Sequence, residues 1–139
     1  MEQRLSIITL GVADLPLAEA FYLEKFGWTK SANSSEGITF MELNGIHLAL
    51  YPREALAEDA DVSNEGQGFK GLTLAYCTRT EAEVNELFAD FEKKGVTITK
   101  KPEKVFWGGY SGYIADPDGH LWEIAYNPFL KLDAQGNIS

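Results

Sequence analysis

A single carboxylate interrupts an apolar stretch near the carboxyl end of the chain. In the segment DPDGHLWEIAYNP (116–128), Glu123 lies between Trp122 and Ile124, and the segment is typical of a tight turn followed by a β-strand. A buried carboxylate is costly unless it is paired, protonated or used in function. Glu123 is therefore a candidate catalytic group, with His47 as its partner in proton transfer, or a candidate ligand-binding group. A purely structural pair with His47 is the alternative.

The alternation of side chains along a strand predicts which residues share a face with Glu123. Leu121 and Ala125 are expected beside it, whereas Trp122 and Ile124 are expected to pack against a helix. Side chains of the other predicted strands and of the loop VFWGGYSG complete an apolar and aromatic pocket of the kind that binds small molecules. The candidate ligand-binding residues are Tyr51, Leu72, Tyr76, Trp107, Tyr110, Tyr113 and Glu123.

Several of these residues also have a purely structural interpretation. The alternative for His47 is an inward-facing ring whose hydrogen bond goes to a backbone carbonyl. In the structural interpretation of Tyr51 and Tyr113, each ring packs against its neighbours and its hydroxyl lies in water. In that of Trp107, the ring only covers a sheet edge.

The composition narrows the class of protein. The net charge of −9 disfavours nucleic acid as a partner, because binding to phosphates needs Lys and Arg. The same charge either attracts a cationic ligand or only keeps the protein soluble. Cys77 is the single cysteine, which excludes an intrachain disulfide framework and a cysteine metal cluster. No apolar run approaches the ~20 residues of a membrane span, and MEQRLSIITLGV does not resemble a secretory signal, so we expect a cytoplasmic protein.

The first half of the chain is predicted to contain one helix and four strands. The strands are expected at residues 4–12, 28–33, 37–43 and 46–52, and the last two flank Asn44-Gly45, a strong hairpin signal. Asp14 is predicted to cap the helix, which contains LPLAEAFYLEKF and ends at the following glycine. The polar residues 53–68 are predicted to form a linker with one short helical turn at 53–58.

The same order of elements recurs in the second half. Strands are expected at residues 69–77, 96–100, 110–115 and 120–127. Thr80 is predicted to cap the helix, with Glu83 three residues later as in a capping box. The segment NGIHLALY can be superposed on DGHLWEIA with a displacement of 74 residues, which places Ala49 on Glu123. The pattern indicates one supersecondary unit used twice.

These two segments resemble a known family. With VADLPLAEAFYLEKFGW early and GYIADPDGHLWEIAYNP late, residues 4–127 resemble the vicinal oxygen chelate (VOC) superfamily, which includes glyoxalase I, bleomycin resistance proteins and extradiol dioxygenases. The resemblance implies an α+β fold of two βαβββ modules that form a half-open, barrel-like cleft, and it implies a homodimer. We expect one VOC domain over residues 1–139. Its parts are module 1 (4–52), the linker (53–68), module 2 (69–127) and a C-terminal tail (128–139) whose polarity predicts fraying.

The resemblance also implies where a metal site would lie. Enzymes of the superfamily carry metal ligands on the first and last strands of each module, and these positions fall here on Ile7, Ala49, Leu72 and Glu123. Catalytic metal sites typically use about three protein ligands with nitrogen, oxygen or sulfur donors. Because only Glu123 supplies such a donor, we expect neither a divalent metal nor another cofactor.

Together these features predict a metal-independent small-molecule-binding protein of the glyoxalase/bleomycin resistance type. The alternative is a glyoxalase-like lyase or isomerase, or a dioxygenase-like enzyme, that uses Glu123 with His47. A third interpretation is a scaffold dimer with a vestigial cleft. The expected partners are a small molecule, whose identity the sequence leaves open, and a second copy of the chain, but neither nucleic acid nor a membrane.

Overall fold

The structure is a computed structural model that describes residues 1, 3, 5–70 and 72–138. The chain divides into two compact units, Met1–Gly68 and Phe69–Ser139. The division falls within a segment of the chain, residues 60–70, that forms neither helix nor strand.

The first unit contains a three-stranded mixed sheet. Its elements are β1 (Ile7–Val12), α1 (Leu15–Ala20), a π-helical turn (Phe21–Lys25), β2 (Thr39–Glu42), β3 (His47–Pro52) and α2 (Arg53–Asp59). The strand order is β1-β3-β2, with β1 parallel and β2 antiparallel to β3. The predicted helix cap is confirmed, since the carboxylate of Asp14 accepts a hydrogen bond from the N–H of Leu17 at 2.9 Å.

The predicted strand at 28–33 is not formed, and serine side chains explain why. The N–H of Ser31 donates to the carbonyl of Phe40 at 2.8 Å, as a strand would. The chain then turns at residues 32–33, and the hydroxyl of Ser34 accepts the N–H of Phe40 at 2.8 Å. Side-chain hydroxyls thus form hydrogen bonds with backbone groups that would otherwise have paired with a fourth strand.

The second unit contains a complete βαβββ set. Its elements are β4 (Thr73–Thr78), α3 (Glu81–Lys93), β5 (Thr97–Lys104), β6 (Tyr110–Ala115) and β7 (Leu121–Tyr126), in the sheet order β4-β7-β6-β5. The hydroxyl of Thr80 accepts the N–H of Glu83 at 3.2 Å, which confirms the predicted N-cap of α3. One face of α3 buries Val84, Phe88 and Phe91.

The predicted α+β class is confirmed. Each of the two sheets retains two edge strands, so neither sheet closes into a barrel by itself. In the described part of the chain, no helix has the length and apolar character needed to cross a membrane.

The C-terminal tail, for which polarity predicted fraying, forms a turn of its own in the structure. Leu132 and Ile138 form a β-bridge, and the carboxylate of Asp133 accepts the N–H groups of Gln135 and Asn137 at 2.9 and 2.8 Å. The turn is tied to the rest of the unit by the guanidinium of Arg79, which donates to the carbonyls of residues 133 and 134. The tail is polar because its side chains build a turn.

Candidate functional site

Glu123 lies in the middle of the second sheet, in a row of four residues on four strands. Its neighbour on β4 is Ala75, and its neighbour on β6 is Tyr113. Tyr113 in turn lies opposite Lys100 on β5. Because residues directly opposite each other in a sheet point to the same side, these four side chains share one surface, named here the Glu123 face.

The other side of this sheet is covered by α3. The side chain of Phe88 lies so close to Gly112 that a Cβ atom added there would approach its ring to 2.6 Å. Gly112 lies opposite Ile124, which is buried, as is Trp122. The predicted alternation therefore holds, because Glu123 points away from the helix that covers Trp122 and Ile124.

Tyr113 lies directly opposite Glu123 on the neighbouring strand. The pKa of Tyr113 is raised by burial first, then by the negative charge of Glu123 and by hydrogen bonding with its carboxylate. The positive charge of Lys100 acts in the opposite direction and lowers the pKa of Tyr113. The arrangement keeps Tyr113 neutral, so its hydroxyl remains a proton donor towards the carboxylate.

Cys77 lies on the same side of the sheet, two residues beyond Ala75 on β4. Burial raises the pKa of the Cys77 thiol, and the negative charge of Glu123 raises it further. Because the thiolate is the nucleophilic form, this environment makes Cys77 less reactive. The thiol is therefore a small apolar part of the surface around Glu123.

Lys100 brings a positive charge to the edge of the Glu123 face. Its ammonium group lies 2.8 Å from the carboxylate of Glu103. The pKa of Lys100 is raised, first by the hydrogen bond with Glu103, then by the charge of Glu103 and, more weakly, by Tyr113 and Glu123. Lys100 thus stays protonated beside the Tyr113–Glu123 pair.

The pKa of Tyr113 gives a direct test of this arrangement. We expect Glu123→Gln to lower the pKa of Tyr113, because the substitution removes the carboxylate charge, and Lys100→Met to raise it, because a positive charge is lost. The measurement is an NMR titration of the tyrosine ring carbons. Glu92→Gln, an exposed carboxylate on α3, is the control and should leave the pKa of Tyr113 unchanged.

The sign of the linked stability change follows from the direction of the shift. A phenol whose pKa is raised by folding stabilises the folded state below its unfolded pKa, and this contribution is lost as the pH rises through the folded value. Stability of the protein should therefore fall less steeply above about pH 10 in Glu123→Gln than in the wild type. An unchanged pKa of Tyr113 in Glu123→Gln would contradict the pairing.

Of two β4-region residues predicted to share a surface with Glu123, one lies on the other side of the sheet and one lies outside the paired strand. Tyr76 lies opposite Ile124, on the α3 side of the sheet, and its side chain is 48% exposed. Leu72 precedes β4 and is 47% exposed. The error arises from the register, because the prediction placed the inward-facing positions of this strand one residue too early and thereby inverted its faces.

The same shift corrects the position expected for a metal ligand on β4. Ile7 lies opposite His47 in the first sheet, and Thr73 lies opposite Leu121 in the second. The hairpin superposition places His47 on Leu121. Thr73, and not Leu72, is therefore the counterpart of Ile7.

The two aromatic residues predicted to cover a ligand have contacts of their own. The hydroxyl of Tyr110 donates to the side chain of Asn85 on α3 at 2.8 Å, so Tyr110 lies on the helix side of the sheet. The ring of Trp107 lies over the backbone of Gly109 in the β5–β6 loop, where an added Cβ atom would approach it to 2.0 Å. Tyr110 therefore lies on the side of the sheet opposite to Glu123, and Trp107 covers its own loop; the ligand contacts of both residues stay predictions.

His47 and Tyr51 lie in the first unit. They share one side of β3 with Ala49, and both are partly exposed. The ring of His47 lies 6.4 Å from that of Phe40, centroid to centroid. His47 also lines an open cavity of about 440 Å³, together with Ser6, Ile7, Glu42, Leu43, Gly45 and Ile46. Its partnership with Glu123 and the ligand contacts of Tyr51 stay predictions.

The residues at the four corresponding positions do not fit a divalent ion. Ile7 and Ala49 offer no donor atom, Thr73 offers a hydroxyl, and only Glu123 offers a carboxylate. Divalent ions in proteins are held by several carboxylate, imidazole or thiolate donors. Across the described ranges of the chain, no three His, Cys, Asp or Glu side chains come together as such a site would require.

Sequence reasoning did not identify Lys100 or Ala75 as neighbours of Glu123. The register between β5 and β6 shifts on both sides of the Lys100–Tyr113 pair, and these irregularities decide which lysine of TKKPEK lies opposite Tyr113. A repeat or an alternation pattern carries no signal for such a shift. Ala75 could have been found from the parallel pairing of β4 with β7, given the correct register.

Comparison with known proteins identifies the family. The model of the Glyoxalase/Bleomycin resistance protein/Dioxygenase superfamily matches residues 4–124, and the chain belongs to that superfamily. A glyoxalase-related enzyme from Fulvimarina pelagi is 35% identical, with a TM-score of 0.86 over 99% of this chain and 98% of that chain. A lactoylglutathione lyase from Agrobacterium tumefaciens is 25% identical, with a TM-score of 0.71 over 91% and 96% of the two chains.

A superfamily protein from Nocardioides shares the fold at 23% identity, with a TM-score of 0.77 over 91% of this chain and 84% of that chain. The resemblance inferred from the two sequence segments is thereby confirmed at the level of superfamily and fold.

Proposed function

We propose that this protein is a metal-independent small-molecule-binding protein of the glyoxalase/bleomycin resistance type, which holds its ligand against the Glu123 face. The observation that carries the proposal is the half-buried Glu123 carboxylate, which points away from α3 and lies opposite Tyr113 in the sheet. Small side chains flank it, Ala75 on β4 and Ala125 two residues along β7. The surface of this sheet thus combines a charged acceptor with small side chains on either side of it.

The charge of Glu123 defines the kind of group it binds. A carboxylate accepts hydrogen bonds most strongly from a cation, and a protein with a net charge of −9 attracts cations at long range. Tyr113 occupies one direction of the carboxylate and leaves others available, because an ionised carboxyl group has about four acceptor positions. The ligand we propose therefore presents an amine or another hydrogen-bond donor to Glu123.

Metal independence rests on the donor set. The four positions that the resemblance assigns to metal ligands hold one carboxylate, one threonine hydroxyl and two aliphatic side chains, a set that lacks the donors a catalytic metal needs. Elemental analysis and native mass spectrometry of the purified protein test this part. A stoichiometric divalent metal would refute it, and a mass equal to two chains would support the homodimer that we include in the proposal together with a cytoplasmic location.

Bleomycin is a suitable cationic probe for ligand binding. We expect calorimetry to show saturable binding, and Glu123→Gln to weaken it at least about tenfold, because a hydrogen bond to a charged group contributes ~1.5–3 kcal/mol. Glu92→Gln changes the net charge equally and should bind like the wild type. Equal loss in both variants would mean that only the overall charge matters and would contradict a site at Glu123.

An enzymatic role is the second candidate, and the similarity to a lactoylglutathione lyase favours it. Glu123 would then move a proton, with Tyr113 or His47 as the second proton carrier. The test is the formation of S-lactoylglutathione from the hemithioacetal of methylglyoxal and glutathione, with protein that has been treated with a chelator. Turnover that survives the chelator and disappears in Glu123→Gln supports the enzyme, whereas the absence of turnover together with bleomycin binding supports the binding protein.

A further inference from the structure

The cavity of about 440 Å³ in the first unit lies where β1 begins and where the β2–β3 hairpin turns. Two of its side chains carry polar groups that can bind a ligand, Glu42 at the end of β2 and His47 at the start of β3. They lie directly opposite each other in the sheet, so both point to the same side. The described residues that line the cavity all belong to the first unit, so none of them is part of the Glu123 face.

The charge of the Glu42 carboxylate is not balanced by a cation within ion-pair distance, as far as the structure describes the chain. Its hydrogen bond within the described residues comes from the hydroxyl of Ser31, which donates to it at 2.6 Å. A hydroxyl is neutral, and an ionised carboxyl group has about four acceptor positions. The negative charge of Glu42 is therefore retained, and several directions of its carboxylate are available to a ligand.

The imidazole of His47 is the second acceptor in the cavity. It is partly exposed, and its ring lies beside that of Phe40, 6.4 Å from centroid to centroid. A neutral imidazole has one ring nitrogen that accepts a hydrogen bond. Within the described residues, no hydrogen bond or ion pair joins His47 to Glu42. Both acceptors are therefore available to a molecule in the cavity.

Three aliphatic side chains contribute to the wall of the cavity, Ile7, Leu43 and Ile46. Ile7 lies opposite His47 on β1, and its side chain is 46% exposed. Covering such a side chain with the hydrocarbon part of a ligand is favourable, because apolar surface is removed from water. The volume lies within the ~300–1,000 Å³ typical of small-molecule pockets. The cavity thus combines two hydrogen-bond acceptors with an apolar wall.

From these features we propose that the cavity, named here the hairpin pocket, binds a primary amine with a short apolar body. The ammonium group lies between Glu42 and His47, because its three N–H groups can donate to the carboxylate, to the imidazole nitrogen and to water. The apolar body packs against Ile7 and Ile46. This site is additional to the one proposed at Glu123, and either of the two can fail its test without the other.

The sequence contains a signal for this pair of acceptors. In MELNGIH (41–47), the turn Asn44-Gly45 brings the residues on its two sides into register. The first pair beyond the turn is closed by a backbone hydrogen bond of 2.9 Å. The next pair is Glu42 and His47. A hairpin signal that is local in sequence therefore holds a carboxylate and an imidazole side by side.

Phenethylamine is the probe for the first experiment, an NMR titration that follows the backbone amides. We expect saturable shifts at residues 6–7 and 42–47. Glu42→Gln should weaken the binding about fivefold or more, because a charge-assisted hydrogen bond is lost. The fold should persist in this variant, since the carbonyl oxygen of glutamine can still accept the hydroxyl of Ser31. His47→Phe should also weaken the binding, because a phenyl ring offers no acceptor nitrogen.

Glu36→Gln is the matched control, because Glu36 is an exposed carboxylate of the same unit and its loss changes the net charge equally. It should bind phenethylamine like the wild type. Two further probes separate charge from hydrogen bonding. 2-Phenylethanol has the same apolar body without the charge, and phenethyltrimethylammonium has the charge without an N–H group, so both should bind more weakly than phenethylamine. Equal weakening in Glu42→Gln and Glu36→Gln, equal affinity for either further probe, or shifts centred on residues 113 and 123 would overturn the proposal.

Discussion

Gly112→Ala is expected to destabilise the protein by about 3 kcal/mol, the upper part of the range for adding a methyl group to a packed site. A Cβ atom at this position would lie 2.6 Å from the ring of Phe88, 2.7 Å from the carbonyl oxygen of Lys100 and 2.8 Å from the nitrogen of Pro102. Two of these atoms belong to the backbone of β5, so relief requires movement of the strand. Urea denaturation measures the loss as a lower midpoint with an unchanged slope.

Two other glycines give matched comparisons. Gly37→Ala places a methyl group where no atom lies within 4 Å, and we expect a change within about 0.5 kcal/mol. In Gly109→Ala the three atoms nearest to the added methyl group all belong to the ring of Trp107, which is 37% exposed and can move aside, so its cost should be smaller than that of Gly112→Ala. Equal stabilities of Gly112→Ala and Gly37→Ala would show that β5 adjusts freely at this point.

The substitution Gly112→Ala should also alter the geometry of the Glu123 face. Gly112 directly precedes Tyr113, and the carbonyl it approaches belongs to Lys100, the residue opposite Tyr113. A strand that moves to accommodate the methyl group changes the distance between Lys100 and Tyr113. We therefore expect bleomycin binding to weaken in Gly112→Ala even under conditions where the variant is fully folded.

Asp116→Ala is expected to destabilise the protein by about 2 kcal/mol, within the range for leaving buried hydrogen-bonding groups unsatisfied. Asp116 is 5% exposed, and its carboxylate accepts the N–H groups of Asp118 and His120 at 2.9 and 2.8 Å. These bonds shape the turn that leads from β6 into β7. Denaturation by urea, read by far-ultraviolet circular dichroism, gives the free energy of unfolding.

Two control variants distinguish the loss of the hydrogen bonds in this turn from other effects of replacing an aspartate. Asp116→Asn keeps a carbonyl oxygen that can accept both N–H groups, so it should lose less stability than Asp116→Ala. Asp133→Ala removes the same pair of bonds from the tail turn, where the aspartate is less buried and only the tail depends on it. Its effect on global unfolding should be smaller. A loss in Asp133→Ala as large as that in Asp116→Ala would contradict this account.

Glu123 illustrates how local pattern and tertiary contact combine. The sequence placed an acid between two buried residues, and alternation alone predicted that it would face away from the helix. The structure adds the neighbour, since Tyr113 lies opposite Glu123 and the negative charge of Glu123 helps to raise the pKa of the phenol. Tyr113 was predicted as a ligand-binding residue, and that role stays a prediction.

The sequence by itself determined the features that depend on neighbours along the chain. Asp14 and Thr80 cap their helices as predicted, because a cap needs only a side chain and an amide three residues away. The superfamily resemblance followed from the turn DPDG and the repeated hairpin for the same reason. The missed tail turn also had a local signal, the aspartate and glycine of DAQGN.

Only the tertiary structure decided the features that depend on pairing between distant strands. The register of β4 against β7 put Ala75, and not Tyr76, beside Glu123. The irregular pairing of β5 with β6 put Lys100 opposite Tyr113. A shift of one residue reverses the two faces of a strand, and no local pattern distinguishes the two registers when both faces contain apolar side chains. The surroundings of Glu123 therefore follow from long-range packing, while its presence in the strand follows from the sequence.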